Sequence, residues 1–285
     1  MPAGMRIGRT RLLRQVAALG HERLLAFERL RRRNPLVRAL VAPVRWWLRR
    51  GSMRVDAGLA QGLRLSLAHI PISHAHAGLL ASGLLELSVQ QAMKRLLAHG
   101  DVFYDVGANV GFFALAGARL VGPAGAVYAF EPVPENAAAI RASAELNGLA
   151  NIEVVAKAVG RATGRDRLLL VEDLSWSHLE SRGLHPLATG TLEIETVAID
   201  DLVADGRLRP PQLVKIDVEG AEIDVLEGMR KTMEEHRPAI VCELHDTAAA
   251  FIETMEALGY ATSNLEAKQS LLDAPPSVHA LAVPR

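Results

Sequence analysis

Residues 101–111 read DVFYDVGANVG. Val102, Phe103 and Tyr104 favour a strand, Asp105 follows them, and Gly107, Ala108, Asn109 and Gly111 crowd the positions before the apolar run FFALAGARL. A strand, a glycine-rich turn and an apolar helix in direct succession describe a strand-to-helix crossover of an α/β fold. Gly107 and Gly111 permit a tight turn and let a ligand approach the backbone. The helix that follows presents amide hydrogens that favour a negative group. The spacing argues against two phosphate-binding loops. A dinucleotide turn reads G-x-G-x-x-G, whereas these glycines read G-x-x-x-G behind an acid, and no G-K-[S/T] follows as a P-loop requires.

Outward from this turn, strands and helices alternate. Strands are expected at 101–105, 126–130, 152–159, 213–216 and 239–244, with helices at 84–98, 110–120, 134–147, 221–230 and 247–258. Further strands at 166–172 and 191–197 flank a polar insert, and a terminal strand pair ends in VHALAVP. Such alternation implies a mainly parallel sheet. Ligands of these sheets bind beyond the carboxyl ends of the strands, here at Asp105, Glu131, Ala158, Asp217 and Glu243. Acids are costly to bury unless paired, so their recurrence at strand ends marks a functional mouth. Glu131 suits the two hydroxyls of a ribose. Together with the 105–111 turn it describes a site for a nucleoside with a small zwitterionic tail.

Three segments make that description specific. DVGANVG at 105–111, FEPVPEN at 130–136 and KIDVEGAE at 215–222 resemble the FkbM family of S-adenosylmethionine-dependent methyltransferases. The resemblance implies a Rossmann-like class I methyltransferase fold. That is a mostly parallel seven-stranded sheet with one antiparallel strand and helices on both faces, here behind an N-terminal helical extension. It implies S-adenosylmethionine as cofactor, with Asp105, Gly107, Asn109 and Gly111 as the first cofactor motif. Glu131 becomes the ribose-binding acid, with Asn136 on the following helix. GLLE at 83–86 is similar to the family's glycine–aromatic–glutamate element, with Leu85 in the aromatic place. TVAIDDL at 196–202 fits its threonine–leucine–aspartate approach to the fourth core strand, with Ile199 for leucine. Members act mostly as O-methyltransferases on sugars, polyketides and related metabolites, so a small-molecule or glycolipid acceptor is expected. The acid that often meets an adenine amine in this fold is absent near Ala158, which leaves adenine to backbone groups.

Methyl transfer from a sulfonium to a hydroxyl needs in-line contact, desolvation and a base for the hydroxyl proton. Lys215, Asp217 and Glu219 alternate at a strand end, which points them to one side. Glu222 opens the next helix, where the dipole favours it. Glu243 and His245 emerge from the neighbouring strand. Asp217, Glu219 and His245 are therefore the catalytic candidates. His245 and Asp217 both suit the base, and Asp217 also suits the cofactor's amine. Oxygen and imidazole groups of this kind bind divalent ions elsewhere, but nothing in the spacing fixes a ligand set, and no metal is expected. His69, His74 and His76 lack interleaved acids and are expected on the surface or in the cleft. Trp176, in the polar insert 172–190, suits stacking on a sugar or anchoring of its loop.

Composition bounds the rest. The chain has 285 residues, 49% of them hydrophobic, enough for one large α/β domain with appendages. Cys242 is the sole cysteine, so an intrachain disulfide and a four-cysteine zinc site are excluded. No apolar run is long enough for a spanning helix, and no secretory signal is expected. Residues 1–50 carry thirteen Arg, no Lys and only Glu22 and Glu28, a charge of +11 that the remainder balances at −11. Within them, apolar residues at helical spacing end at Asn34-Pro35, and Trp46 and Trp47 sit among arginines. Packing on the body, self-association, or contact with an anionic membrane surface are the expected uses; nucleic acid is not expected. The division expected is 1–50 as a basic amphipathic helical extension, 51–99 as a small hairpin with a lead-in helix, and 100–285 as the cofactor-binding domain. A cytoplasmic place, or the inner face of the membrane, follows as the expectation. The competing readings are an NAD(P)-dependent oxidoreductase on a related sheet and a non-catalytic scaffold that retains the cofactor pocket. The glycine spacing and the lack of a Tyr-x-x-x-Lys weigh against the first, and the retained acids against the second.

Overall fold

The chain is described by a computed structural model covering residues 34, 52–67, 74–171, 178–179 and 188–285. The expectations for the basic head, for His69 and for Trp176 lie outside these residues. β1 (Ser52–Arg54) and β2 (Arg64–Ser66) form an antiparallel hairpin. Two helices follow, α1 (His74–Ser82) and α2 (Leu87–Leu96). Then come β3 (Val102–Val106), α3 (Phe112–Val121), β4 (Ala126–Phe130), α4 (Pro134–Asn147) and β5 (Ile152–Val155). A run of strands succeeds them: β6 (Ala158–Val159), β7 (Gly164–Val171), β8 (His178–Leu179) and β9 (Ala188–Val197). The second half contains α5 (Ile199–Ala204), β10 (Leu213–Ile216), α6 (Glu222–Gly228) and α7 (Arg230–His236). It closes with β11 (Ala239–His245), α8 (Ala248–Ala257), β12 (Tyr260–Asn264) and β13 (Ser277–Pro284).

The main sheet has seven strands in the order β12-β13-β11-β10-β3-β4-β5. All pairs are parallel except those made by β13, which runs antiparallel to both β11 and β12. This is the Rossmann-like class I methyltransferase arrangement that the resemblance implies, and the mainly parallel sheet that the strand–helix alternation implies. β3 and β10 are buried along their whole length, as strands covered on both faces must be. One face packs Phe103, Val127, Leu213, Val241 and Leu281 against α1–α4 and the hairpin. The other packs Tyr104, Phe130, Val214, Ile240 and Cys242 against α5–α8. Side chains of α4 tie the hairpin down: Asn147 Oδ1 accepts the Arg64 amide at 2.9 Å, and Ser143 Oγ accepts the Ser66 amide at 2.8 Å.

Three local readings change. The stretch 152–159 is not one strand: the Lys157 amide turns back onto the Val155 carbonyl at 2.8 Å. The chain then leaves the main sheet, and β6 joins a separate sheet ordered β6-β9-β7-β8. The helix expected at 221–230 breaks at Met229, whose φ of −124° is non-helical and whose side chain is wholly buried in the second core. Residues 74–82, assigned no element from the sequence, form α1, with Ala77, Leu80 and Ala81 in the first core.

Candidate active site

The turn after β3 is built around Glu131. Its Oε2 accepts the Asn109 amide at 2.8 Å, and its Oε1 accepts the Val133 amide at 2.9 Å and Asn136 Nδ2 at 3.3 Å. Burial pushes this carboxyl up to about 7 despite those donors. A carboxylate offers about four acceptor positions, so three donors leave one open. Beside it, Asn136 Oδ1 is buried without a partner. Asn109 takes the left-handed conformation at φ +49°, which asparagine tolerates well. The glycines serve the chain's own packing. A Cβ on Gly107 would meet the Asp217 carbonyl oxygen at 1.8 Å, and one on Gly111 would meet Ile140 Cγ1 at 2.9 Å. Both positions therefore require glycine, because a neighbouring strand end and a helix stand where a side chain would be.

Asp105 alternates with Tyr104 and Val106 of the second core, so its side chain belongs to the first face of the sheet. It is 1% exposed, and neither carboxylate oxygen has a hydrogen-bond partner of ordinary geometry. Burial pushes it up to about 6, opposed by the Lys215 charge and, more weakly, by the Ala114 amide. Lys215 is its register partner on β10. The Lys215 ammonium is itself buried, 3.1 Å from Asp217 Oδ2 and 4.9 Å from the centre of the Phe113 ring. Burial disfavours its charge, but Asp217, Glu86 and Asp105 outweigh that and raise it. Asp105 also raises Glu131 slightly through its charge.

Beyond β10, Asp217, Glu219 and His245 bring one ligand-type atom each within 4.8 Å of one another. Glu219 holds a left-handed backbone at φ +50°. Its Oε2 lies 3.4 Å from His245 Nε2, with Glu243 Oε1 at 3.6 Å from the same nitrogen. On the ring's other side, Nδ1 faces Glu222 Oε1 at 2.9 Å. Burial works against the imidazolium, but the Glu222 hydrogen bond and the charges of Glu219, Glu222 and Glu243 prevail and push His245 up to about 9. Burial raises Glu219 to about 7 against the pull of His245, and Asp217 is raised in the same way against the pull of Lys215.

A second charged group adjoins the first. His279, the register partner of Glu243, places Nε2 3.2 Å from Glu86 Oε2 and 3.4 Å from Glu243 Oε2, and Nδ1 2.6 Å from Glu266 Oε1. Its burial is overcome by Glu243 and Glu86, which push it up to about 11. In both groups carboxylates surround the imidazole and favour its protonated form.

The structure therefore brings together Asp105, Gly107, Asn109, Gly111, Glu131 and Asn136 around the turns after β3 and β4. Asp217, Glu219 and His245 meet beyond the ends of β10 and β11. Sequence reasoning left Lys215 without a role, gave Glu222 only a dipole contact, and did not place Glu86 and His279 in the site. The one available signal was GLLE, which ends on Glu86. His279 stands in a largely apolar strand, and its partners Glu86, Glu243 and Glu266 come from other elements.

Comparison with known proteins identifies the family. The Methyltransferase FkbM domain matches residues 105–265. The 31-O-demethyl-FK506 methyltransferase FkbM of Streptomyces tacrolimicus is 31% identical over 216 residues, covering 66% of this chain and 82% of that protein. The hexuronic acid methyltransferase AglP of Haloferax volcanii is 31% identical over 167 residues, covering 56% of this chain and 64% of that protein. The crystal structure of a methyltransferase FkbM from Methylobacillus flagellatus aligns with a TM-score of 0.45 at 18% identity, over 71% of this chain and 46% of that one. A doubly wound sheet with acids at its strand ends and a family match over more than half its length give one answer: the chain belongs to the FkbM family of S-adenosylmethionine-dependent methyltransferases.

Proposed function

We propose that the chain methylates a hydroxyl of a sugar, a glycolipid or a secondary metabolite. The observation that carries this reading is the meeting of Asp217, Glu219 and His245 at the crevice, within electrostatic reach of Asp105. The two relatives named for FK506 and for hexuronic acid support a hydroxyl-bearing acceptor. S-adenosylmethionine supplies a methyl group made electrophilic by a sulfonium. The unpartnered oxygens of Asp105 fit its ammonium, and the open position on Glu131 with Asn136 Oδ1 fits the two ribose hydroxyls. Gly107, Asn109 and Gly111 shape the turn that carries those groups.

A sugar hydroxyl holds its proton tightly, so a base must take it as the oxygen becomes the nucleophile. Glu219 suits this task. It is partly exposed, and a carboxyl near 7 combines an ionised fraction at neutral pH with useful basicity. His245 already carries a proton there, so its better use is to hold Glu219. Asp217, tied to Lys215, orients the acceptor or the cofactor's amine. Labelled methyl transfer to D-glucuronate, neutral monosaccharides and cell extract tests the reading. Glu219→Gln should lower kcat by about 10²–10⁴ and leave cofactor affinity within about twofold. Label found on nitrogen or carbon, or an undiminished rate in the variant, would contradict it.

The arginine-rich residues 1–50 fit contact with an anionic membrane surface on the cytoplasmic side. Among the described residues no helix is long and apolar enough to cross a membrane.

A further inference from the structure

We propose that Glu222 is a positioning residue of the methyl-transfer site, fixing the His245 imidazole so that its Nε2 edge faces Glu219. The inference rests on the reading above that Glu219 takes the acceptor's proton. Glu222 opens α6 with its side chain wholly buried. Oε1 accepts the Gly220 amide at 2.7 Å and lies 2.9 Å from His245 Nδ1, while Oε2 accepts the Thr247 hydroxyl at 3.1 Å. One carboxylate thus ties the turn carrying Glu219 to the end of β11 and the start of α8. A buried carboxylate engaged on both oxygens has little freedom to rotate, so the ring is held at one nitrogen and its orientation follows.

The other nitrogen then meets Glu219 Oε2 at 3.4 Å and Glu243 Oε1 at 3.6 Å. The charged groups around His245 are Glu222 on α6, Asp217 and Glu219 on the segment after β10, and Glu243 on its own strand. Side-chain exposure grades outward, from 0% at Glu222 through 22% at His245 to 29% at Glu219. An acceptor reaches the outer two residues and not Glu222, which is why its role is positioning. The hydrogen bond from the Gly220 amide also steadies the turn in which Glu219 is left-handed. With carboxylates on both edges the ring keeps its proton, and that charge keeps Glu219 available as a base. Neutralising Glu222 weakens both effects.

NMR titration of histidine in the full chain, wild type and Glu222→Gln, tests this beside calorimetry with S-adenosylmethionine. In the wild type His245 should titrate well above the ordinary value of about 6.5. In Glu222→Gln its midpoint should fall by about two pH units, with cofactor affinity kept within about threefold. Glu222→Asp should recover part of the shift. An unmoved midpoint in Glu222→Gln overturns the proposal. So does a wild-type midpoint at or below the ordinary value, a result that needs no variant and stands even if Glu222→Gln fails to fold. A wild-type chain that leaves S-adenosylmethionine unbound overturns the methyl-transfer role instead, and shows itself in the calorimeter, not in the titration.

Discussion

Gly107 shows how one residue serves two requirements. Its φ is +81°, and the Asp217 carbonyl occupies the place of its missing Cβ. Gly107→Ala should therefore lower stability by about 2 kcal/mol or more, seen as a fall of several degrees in thermal denaturation. Because β3 and β10 meet at this point, cofactor affinity should fall with it. Glu131 and Asn136 make a second residue-scale case. Glu131→Ala should weaken S-adenosylmethionine binding by about tenfold or more, and Asn136→Ala by about fivefold, from lost hydrogen bonds worth roughly 1–2 kcal/mol each. Asn136 also holds Glu131, so the double variant should lose less than the product of the two. Calorimetry on the three variants measures the coupling, and strict additivity would count against a shared ribose site.

At the scale of elements, His279 joins β13 to β11 through Glu243, to the start of α2 through Glu86, and to the loop after β12 through Glu266. Its folded-state pKa is raised to about 11 from 6.5, so its contribution is full below about 6.5 and is lost as pH rises through about 11. Glu243 shifts the other way: burial alone would raise it, but His279, Ser277 and His245 hold it at about 2. Its contribution is full above about 4.5 and is lost as pH falls through about 2. The pair is therefore most stabilising between these limits, near pH 5–6. His279→Gln should cost about 3 kcal/mol there, with the gap to wild type closing as pH climbs toward 10. Thermal melts across that range check it, and a gap that widens with pH would reverse the assignment. The strand–helix alternation was legible in the sequence because periodicity is local. The break after Val155 and the helix α1 were not, because the pairing of β6 with β9 and the packing of Ala77, Leu80 and Ala81 depend on partners distant in the chain.

For the whole molecule, the uneven charge is the feature with a consequence. Thirteen arginines precede a body of net charge −11. The full chain should float with vesicles containing anionic phosphatidylserine and stay behind with pure phosphatidylcholine. At about 0.5 M salt, where charges are screened beyond about 4 Å, flotation should be lost. Equal flotation with both lipids would replace the electrostatic account by an apolar one. Two apolar faces and one polar rim complete the design. The sheet is covered by α1–α4 on one side and α5–α8 on the other, and the charged groups gather toward the carboxyl ends of the strands, most of them buried or half-buried.

The sequence by itself determined the alternation of elements, the mostly parallel sheet, and the acids that would stand at its open end. These follow from hydrophobic period and from the turn chemistry of DVGANVG, and both are local. Only the tertiary structure decided which charges meet. Asp105 faces Lys215 because β3 and β10 pair in that register, and Glu243 meets His279 because β13 returns antiparallel. Glu222 grips His245 because α6 starts against the end of β11. The protonation of each group depends on those long-range neighbours, since burial and opposite charge, not residue type, decide which side chain keeps its proton.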